Sequence, residues 1–573
     1  LSAPEAGTAL GSAATLQRIA EARSSAATTE ILAALPFHNF AELLRAQVAR
    51  GNADFLIWAD GETRQVFSYR ALLDRVAARM VRLRQLGVQR GSRIATLFHN
   101  HPEAPITCLA AWGMGAAVAP LNAAEEPERL AQVLRASRAA LLLFLPEYRA
   151  LAAKLRALSG EAGEMGEAGG AGETPWRALE AGEDPPARLE AALAGPAPEA
   201  GDLALLVFTS GTTGAPKAVL LEQRNLLADA DALRRWHGLG ETSRLMCVLP
   251  VHHVNGLVVT LITPFLSGCS TVLCRRFQTQ DFWRRIADEG VHIVSVVPTL
   301  LAFLMEDAAG MAGLDLRRFR YLICGAGPLT VELAQRFEER FGFRILHGYG
   351  LSETTCYSCM MPRDLEAAEH AEWMRAHGFP AIGTPLPVNE MAIHSAEGRA
   401  LPEGERGEIV IRGVNVMRGY AERPDANAES FAHGWFRSGD EGFFRRDAQG
   451  RPFFFITGRI KELIIRGGVN ISPFEIDEVL NNIPGVARGL AVGFENRWYG
   501  EEVGACVLPE PGAALSESAV LEACQAALPF AKAPKVVRFV SELPATATGK
   551  YQRGKLRPLF DGFSGQQFSR RQR

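Results

Sequence analysis

Phe208-Thr209-Ser210-Gly211-Thr212-Thr213-Gly214-Ala215-Pro216-Lys217 follows directly on the apolar run Leu-Ala-Leu-Leu-Val at 203–207. A strand-like segment stops abruptly in hydroxyls and glycines, and a proline and one lysine close it. Glycine lets backbone N–H groups turn inward, and successive N–H groups make a nest for an anion. Thr209, Ser210, Thr212 and Thr213 add side-chain donors, and Lys217 adds a full positive charge. This donor set suits a polyphosphate. A Walker loop would need Gly-x-x-x-x-Gly-Lys-Ser/Thr, but the residue before Lys217 is Pro216.

The chain around this loop has 573 residues, too many for one core, so at least two domains are expected. A formal net charge of -3 gives no electrostatic reason to expect nucleic acid or an anionic membrane as partner. The nine cysteines are scattered and odd in number, which suits a reducing compartment better than a disulfide framework. Cys356 and Cys359 form a lone CxxC, which reads as packing rather than a zinc or redox site. The Ala/Ser/Thr-rich start lacks an uninterrupted apolar region, and no run of 18 apolar residues occurs. A cytoplasmic protein without membrane insertion is therefore expected. Homodimerisation is left open.

Residues 37–50 and 69–86 carry helical spacing of Leu, Ala and Val, and 92–98 reads as a strand. Strand candidates separated by helical stretches follow at 245–249, 270–273, 293–297, 321–324 and 344–347. Such alternation predicts layered α/β structure with largely parallel sheets. Residues 159–201, rich in Ala, Gly, Glu and Pro, read as a mobile surface connection. From Glu408 the texture changes to hairpins, which predicts a small β-region. A last unit begins near Gly458, where 460–465 reads as strand. A helix follows from Pro473, with Ser472 as its N-cap and Glu475 placed for a capping box. The expected fold class is thus α/β: a large N-terminal domain over 1–457, flexible at about 1–30 and 159–201. A hinge at 458–461 and a small mobile α+β lid over 462–573 complete it.

Five further stretches join the loop in order: 250–256, 324–328, 349–353, 435–440 and 458–477. A closing Thr548-Gly549-Lys550 precedes a basic segment. Together these resemble the adenylate-forming superfamily of acyl-CoA synthetases, peptide-synthetase adenylation domains and luciferases, and most of all an acyl-CoA synthetase. The resemblance spans about 207 to 553; the first part of the chain is similar only in texture.

By this resemblance Thr209, Ser210, Gly211, Thr212, Thr213, Gly214 and Lys217 hold phosphates, and Gly325, Ala326 and Gly327 let adenine lie close to the backbone. Tyr349 and Gly350 are implied at adenine and Ser352 at phosphate, with Glu353 on Mg²⁺. An aromatic face suits a nucleobase and a carboxylate suits a hard cation. Asp440 is implied as acceptor of both ribose hydroxyls, with Arg459 adding a contact. Lys461 stands where such enzymes pivot, and Gly467 and Gly468 flank the coenzyme A tunnel. Lys550 matches the catalytic lysine. His253 aligns with a histidine between acyl pocket and thiol tunnel, and His252, Asn255, Gly256, Thr299 and Gly348 are implied in the acyl pocket. The small residues at 325–327 and 348, with the apolar 297–301, suggest a roomy, hydrophobic pocket for fatty, aryl or alicyclic acids.

The implied cofactors are ATP/AMP, Mg²⁺ and coenzyme A, and the implied activity is an ATP-dependent acyl-CoA ligase for a hydrophobic carboxylic acid. Ala218 replaces the glycine usual after the loop lysine. Two other readings stand beside it: an enzyme performing only thioester formation on a supplied acyl-adenylate, which fits that departure, and, from another class, a non-catalytic nucleotide sensor.

Overall fold

The computed structural model describes residues 10–159, 176–182, 184–209, 216–306, 308–545 and 551–568. The strand–helix alternation of the first half builds two large sheets. One has nine strands, ordered Thr384–Pro385, Cys359–Met360, Arg344–Tyr349, Tyr321–Cys324, Ile293–Val296, Arg244–Cys247, Ser270–Cys274, Asp54–Asp60 and Thr63–Ser68. The run from Arg344–Tyr349 to Asp54–Asp60 is parallel throughout. Those strands are short and almost wholly apolar because helices cover both faces. The other sheet has seven strands, ordered Gly419–Tyr420, Lys217–Glu222, Leu203–Thr209, Ala117–Pro120, Arg93–Leu97, Leu141–Phe144 and Arg177–Glu180.

The hairpin-rich region forms a four-stranded antiparallel sheet, ordered Asn389–His394, Gly407–Gly413, Phe436–Arg446 and Pro452–Arg459. Trp373 stacks on Phe453 with ring centroids 4.0 Å apart, which ties this sheet to the larger body. The chain then makes a short turn at Ile460–Glu462 and enters a five-stranded sheet with its own apolar core, built from Ile464, Ile476, Leu480, Val503, Val537 and their neighbours. A large and a small domain are both present, as expected.

Several local expectations differ from the structure. Residues 10–34 are not loose: helices Ala13–Ala22 and Thr28–Ala34 lie against the body, Arg23 pairs with Glu222, and Asn427 Nδ2 donates to Leu10 O at 3.0 Å. Part of 159–201 is also built in. Arg177–Glu180 adds a parallel edge strand, and Asp184 accepts from the fully buried Arg79 at 2.6 Å. A guanidinium buried that deeply needs carboxylate partners, and Glu103 supplies the second. Residues 460–465 are a turn followed by strand Ile464–Arg466 rather than one strand. The lid helix begins at Pro473 as expected, yet Ser472 does not cap it. Its Oγ donates instead to Thr457 O across the domain junction, and Glu475 pairs with Lys532 at 2.7 Å.

Arg553 anchors the segment after Lys550 to the lid core. Its Nη1 donates to Asp477 Oδ1 at 3.0 Å and to Ala491 O at 2.9 Å, and its Nη2 also meets the Asp477 carboxylate. Burial pushes the Asp477 carboxyl up while Arg553 opposes that shift. Removing one partner of a buried pair leaves the other charge uncompensated. Arg553→Ala should therefore destabilise the lid by about 3–5 kcal/mol. Amide exchange in Gly500–Pro509 should accelerate accordingly, and unchanged protection there would show the pair to be dispensable.

Candidate functional site

The end of strand Arg344–Tyr349 meets the last hairpin of the four-stranded sheet at a buried carboxylate. Asp440 is fully buried and stands opposite Arg459 in the strand pairing. Tyr349 Oη donates to Asp440 Oδ2 at 2.6 Å, and Arg459 Nε lies 2.8 Å from Oδ1. Oδ1 nonetheless has no well-aligned hydrogen bond. That oxygen is held by the Arg459 charge rather than by a directed hydrogen bond. The Tyr349 hydroxyl is pushed well up by burial and then by Asp440, so it stays a neutral donor. Arg459 is held charged, chiefly by Asp440.

A second group assembles one turn further on. Ser352–Thr354 forms a tight helical turn that carries Glu353. Tyr420 Oη donates to Glu353 Oε1 at 2.8 Å, and Lys217 Nζ sits 5.0 Å from the centre of the Tyr420 ring. Lys217 and Glu353 are thus brought together through Tyr420, which the sequence reading missed. Its position in the short Gly419–Tyr420 strand, paired with Val219 and Leu220, explains the placement. Gly350 must be glycine because a methyl there would lie 1.7 Å from Cys356 O. Thr355, at φ 68°, is held by its hydroxyl donating to Asn415 O at 2.7 Å. Ser210, Gly211, Thr212, Thr213, Gly214 and Lys550 lie outside the described residues. Thr209 ends its strand opposite Lys217, and Ala218 stands within the ladder opposite Phe208, buried, with its carbonyl accepting from Ala421 N. Its methyl therefore belongs to the sheet rather than to the loop.

The residues implied in acyl binding converge at the C-terminal ends of the parallel strands. The segment 250–254 leads into a π-helical stretch, Asn255–Ile262. Gly256 is required there, since a methyl would lie 2.5 Å from Pro250 O. The His252 and His253 rings lie 4.3 Å apart. Burial, and then His253, lowers the His252 imidazole well below its ordinary range, and its Nε2 has no partner. Asn255 Nδ2 donates to Tyr357 Oη at 3.2 Å, and Ser295 Oγ donates to Asn255 Oδ1 at 2.7 Å. Gly325 and Gly348 border no empty space on this side: both backbones lie against the Tyr357 ring. The smallness of these two glycines accommodates an aromatic side chain of the protein itself. Ala326, beside them, adopts φ 62°. Thr299 opens the helix Pro298–Glu306 at the same edge.

The lid contributes along one side. Gly327, Pro328, His347 and Ile456 face Phe474 and Tyr551 across a cleft between the domains. Tyr551 immediately follows Lys550 in the chain. Glu478 of the lid accepts from Val331 N at 3.3 Å and Glu332 N at 3.2 Å, at the start of the helix Val331–Phe341. Lys461 is exposed and reaches Glu429 at 3.4 Å. Gly467 and Gly468 form an exposed hairpin tip at φ 57° and 82°, and Gly467 N donates to Tyr499 O. Their contacts are within the lid rather than with the Asp440 cluster.

A family model described as AMP-binding enzyme matches residues 44–421, and one described as AMP-binding enzyme C-terminal domain matches 475–550. The chain belongs to the AMP-binding enzyme family. This AMP-binding enzyme is 37% identical to a sulfoacetate--CoA ligase of Cupriavidus necator, over 82% of this chain and 88% of that one. It is 33% identical to an oxalate--CoA ligase of Arabidopsis thaliana, over 84% and 90% of the two chains. It is 32% identical to a feruloyl-CoA synthase of Amycolatopsis, over 86% and 94%. Among solved structures, ATP-bound MatB from Rhodopseudomonas palustris superposes with a TM-score of 0.78 at 26% identity, covering 92% of this chain and all of that one. The apo form of MatB superposes at 0.68.

Proposed function

We propose that this AMP-binding enzyme joins a carboxylic acid to coenzyme A in two steps, through an acyl-adenylate and with release of AMP. The observation that carries the reading is the Asp440 carboxylate, buried between the Tyr349 hydroxyl and the Arg459 charge, with no directed hydrogen bond at Oδ1. A sugar diol brings two donors, and one carboxylate accepts both. The CoA ligases among the relatives support the same activity.

In the first step the acid's carboxylate attacks the α-phosphorus of ATP, forming the acyl–phosphate bond and expelling pyrophosphate. Asp440 and Arg459 hold the nucleoside in place, and Lys217 with the preceding loop takes the departing phosphates. Lys550 balances charge between the carboxylate and the α-phosphate. Glu353 is the residue to hold Mg²⁺. Its buried carboxylate, with Oε1 accepting from Tyr420, is the oxygen donor that a hard cation takes. That ion, when bound, neutralises charge on the phosphates.

In the second step the coenzyme A sulfur attacks the acyl carbonyl carbon, the acyl–phosphate bond breaks, and AMP leaves. This calls for the lid to turn about Lys461, withdrawing Lys550 and presenting Gly467 and Gly468. Tyr551 in the cleft, and the better superposition on ATP-bound MatB, match the first posture. His253 stands where the thiol would enter.

Pyrophosphate exchange and AMP release over a panel of acids, each with and without coenzyme A, test the reading. Acid-dependent exchange together with thioester formation is expected. Thioester formation from a supplied acyl-adenylate without exchange would instead assign the second half-reaction alone. Binding of nucleotide without turnover would assign a sensor. The burial of Ala218 in the sheet favours the full reaction.

The pivot has its own test. Lys461 lies in a turn closed by Leu463 N donating to Arg459 O. Proline at 461 leaves that bond intact but fixes φ. Lys461→Pro should keep pyrophosphate exchange near the wild-type rate and slow thioester formation by about tenfold or more. An unchanged overall rate would move the pivot elsewhere.

A further inference from the structure

Lys217 and Tyr420 stand on neighbouring strands, Lys217–Glu222 and Gly419–Tyr420, and the N-terminal segment 10–34 holds both. This segment lies ahead of the stretch 44–421 that matches the family. Gly419–Tyr420 is a two-residue strand at the edge of the seven-stranded sheet, and so short a pairing is weak by itself. Asn427, fully buried, reinforces it as a further strand would. Its Oδ1 accepts from Tyr420 N at 2.8 Å, and its Nδ2 donates to Tyr420 O at 2.9 Å. The other Nδ2 hydrogen goes to Leu10 O at 3.0 Å, which uses both donors of the carboxamide and fixes its orientation. The Leu10 and Leu16 side chains pack with Leu206 and Leu220, from strands Leu203–Thr209 and Lys217–Glu222. At the far end of Lys217–Glu222, Arg23 pairs with Glu222. Between these two anchors Ile19 of the helix Ala13–Ala22 is buried in the main core.

We propose that residues 10–34 form a brace that positions Lys217 and Tyr420, and through Tyr420 the Glu353 carboxylate, for the β- and γ-phosphates of ATP. Asn427 and Arg23 are its positioning residues. The inference rests on the ligase reading above for where the phosphates bind, and it concerns what holds that end of the site. Tyr420 Oη donates to Glu353 at 2.8 Å, and Lys217 Nζ stands 5.0 Å from the ring centre. A shift of the Tyr420 backbone therefore disturbs both charged groups. Such groups serve a ligand fully only when held within about 0.5 Å of their place. Without Leu10 O, a buried hydrogen of the Asn427 carboxamide would lack an acceptor, and the clasp on Tyr420 would loosen. The nucleoside end has separate supports. Among the described residues, no hydrogen bond or ion pair joins 10–34 to Tyr349, Asp440 or Arg459, which hold one another. The brace thus bears on the phosphates and spares the nucleoside.

Calorimetry with AMP and with α,β-methylene-ATP, each in the presence of Mg²⁺, reads the two ends of the nucleotide without turnover. The full chain would be compared with Asn427→Ala, Ile19→Asp, Arg23→Ala and Arg23→Lys. Ile19→Asp sets a charge in an apolar seat and should lift the helix Ala13–Ala22 from the body. Asn427→Ala and Ile19→Asp should weaken the ATP analogue by about tenfold or more, with AMP affinity changed by no more than about twofold. Arg23→Ala should weaken the analogue by about threefold or more, again sparing AMP, and Arg23→Lys should recover most of that loss. AMP binding doubles as the control for folding, and Arg23→Ala decides if the other two variants do not fold. A segment that only stabilised the fold would lower both affinities together or neither, and either result overturns the brace while the ligase reading stands. A wild type that binds neither nucleotide overturns both.

Discussion

Lys550→Ala should slow acyl-adenylate formation by on the order of 10²–10³-fold, the cost of removing one positioned charge from a phosphoryl-transfer transition state. Thioester formation from a supplied acyl-adenylate should change by no more than about twofold, because in the proposed mechanism the lid would have carried residue 550 away by then. The asymmetry is the informative part. A lysine that only stabilised the lid would lower both rates together. Separate assays of pyrophosphate exchange and of coenzyme A capture read the two steps, and equal losses would remove Lys550 from the chemistry. Its neighbour Tyr551 lines the cleft beside Gly327 and His347, and Arg553 is bolted to Asp477.

Asp440→Ala is expected to act on both steps. The carboxylate would hold the sugar of ATP in the first and of the adenylate in the second, so its loss cannot spare either. Arg459 would also lose the partner that lies 2.8 Å away and holds it charged. Losing a charged acceptor for two hydroxyls should raise the KM for ATP by about 10- to 100-fold, at roughly 1.5–3 kcal/mol for a hydrogen bond to a charged group. Asp440→Asn keeps the shape and one acceptor, and should fall between the two. Isothermal titration with AMP checks the binding component directly. AMP affinity unchanged in Asp440→Ala would place the nucleoside elsewhere.

Much of the fold was legible because its strands are short, apolar and bounded by turn residues. Tyr321–Cys324 has the bounds expected of it, and the helix Tyr69–Gln85 stops one residue short of the expected end. Charged and glycine-rich motifs likewise marked Asp440, Arg459, Glu353 and Lys217, which the fold gathers into two adjoining groups. What escaped was pairing between distant residues. Tyr420 meets Glu353 from 67 positions away, and Tyr357 meets Asn255 from 102 away. Periodicity and local motifs carry no information about such partners. The same limit explains Gly325 and Gly348. A glycine in sequence does not say whether ligand or protein will occupy the space it leaves, and here a tyrosine does. Ser472 is a related case: a good local capping signal lost to Thr457 O, an acceptor across the domain junction.

Arg459 ends the strand Pro452–Arg459, opposite Asp440, and Lys461 follows two positions later in the adjoining turn. Were the pivot at Lys461, the proposed nucleoside clamp would sit on the stationary side of the joint, like a vice mounted beside a hinge rather than on the door. Swinging the lid then need not loosen the jaws. A reactive mixed anhydride would remain gripped while one face of the site is exchanged for another, and loss of that intermediate to water would be governed by the clamp rather than by how fast the door moves.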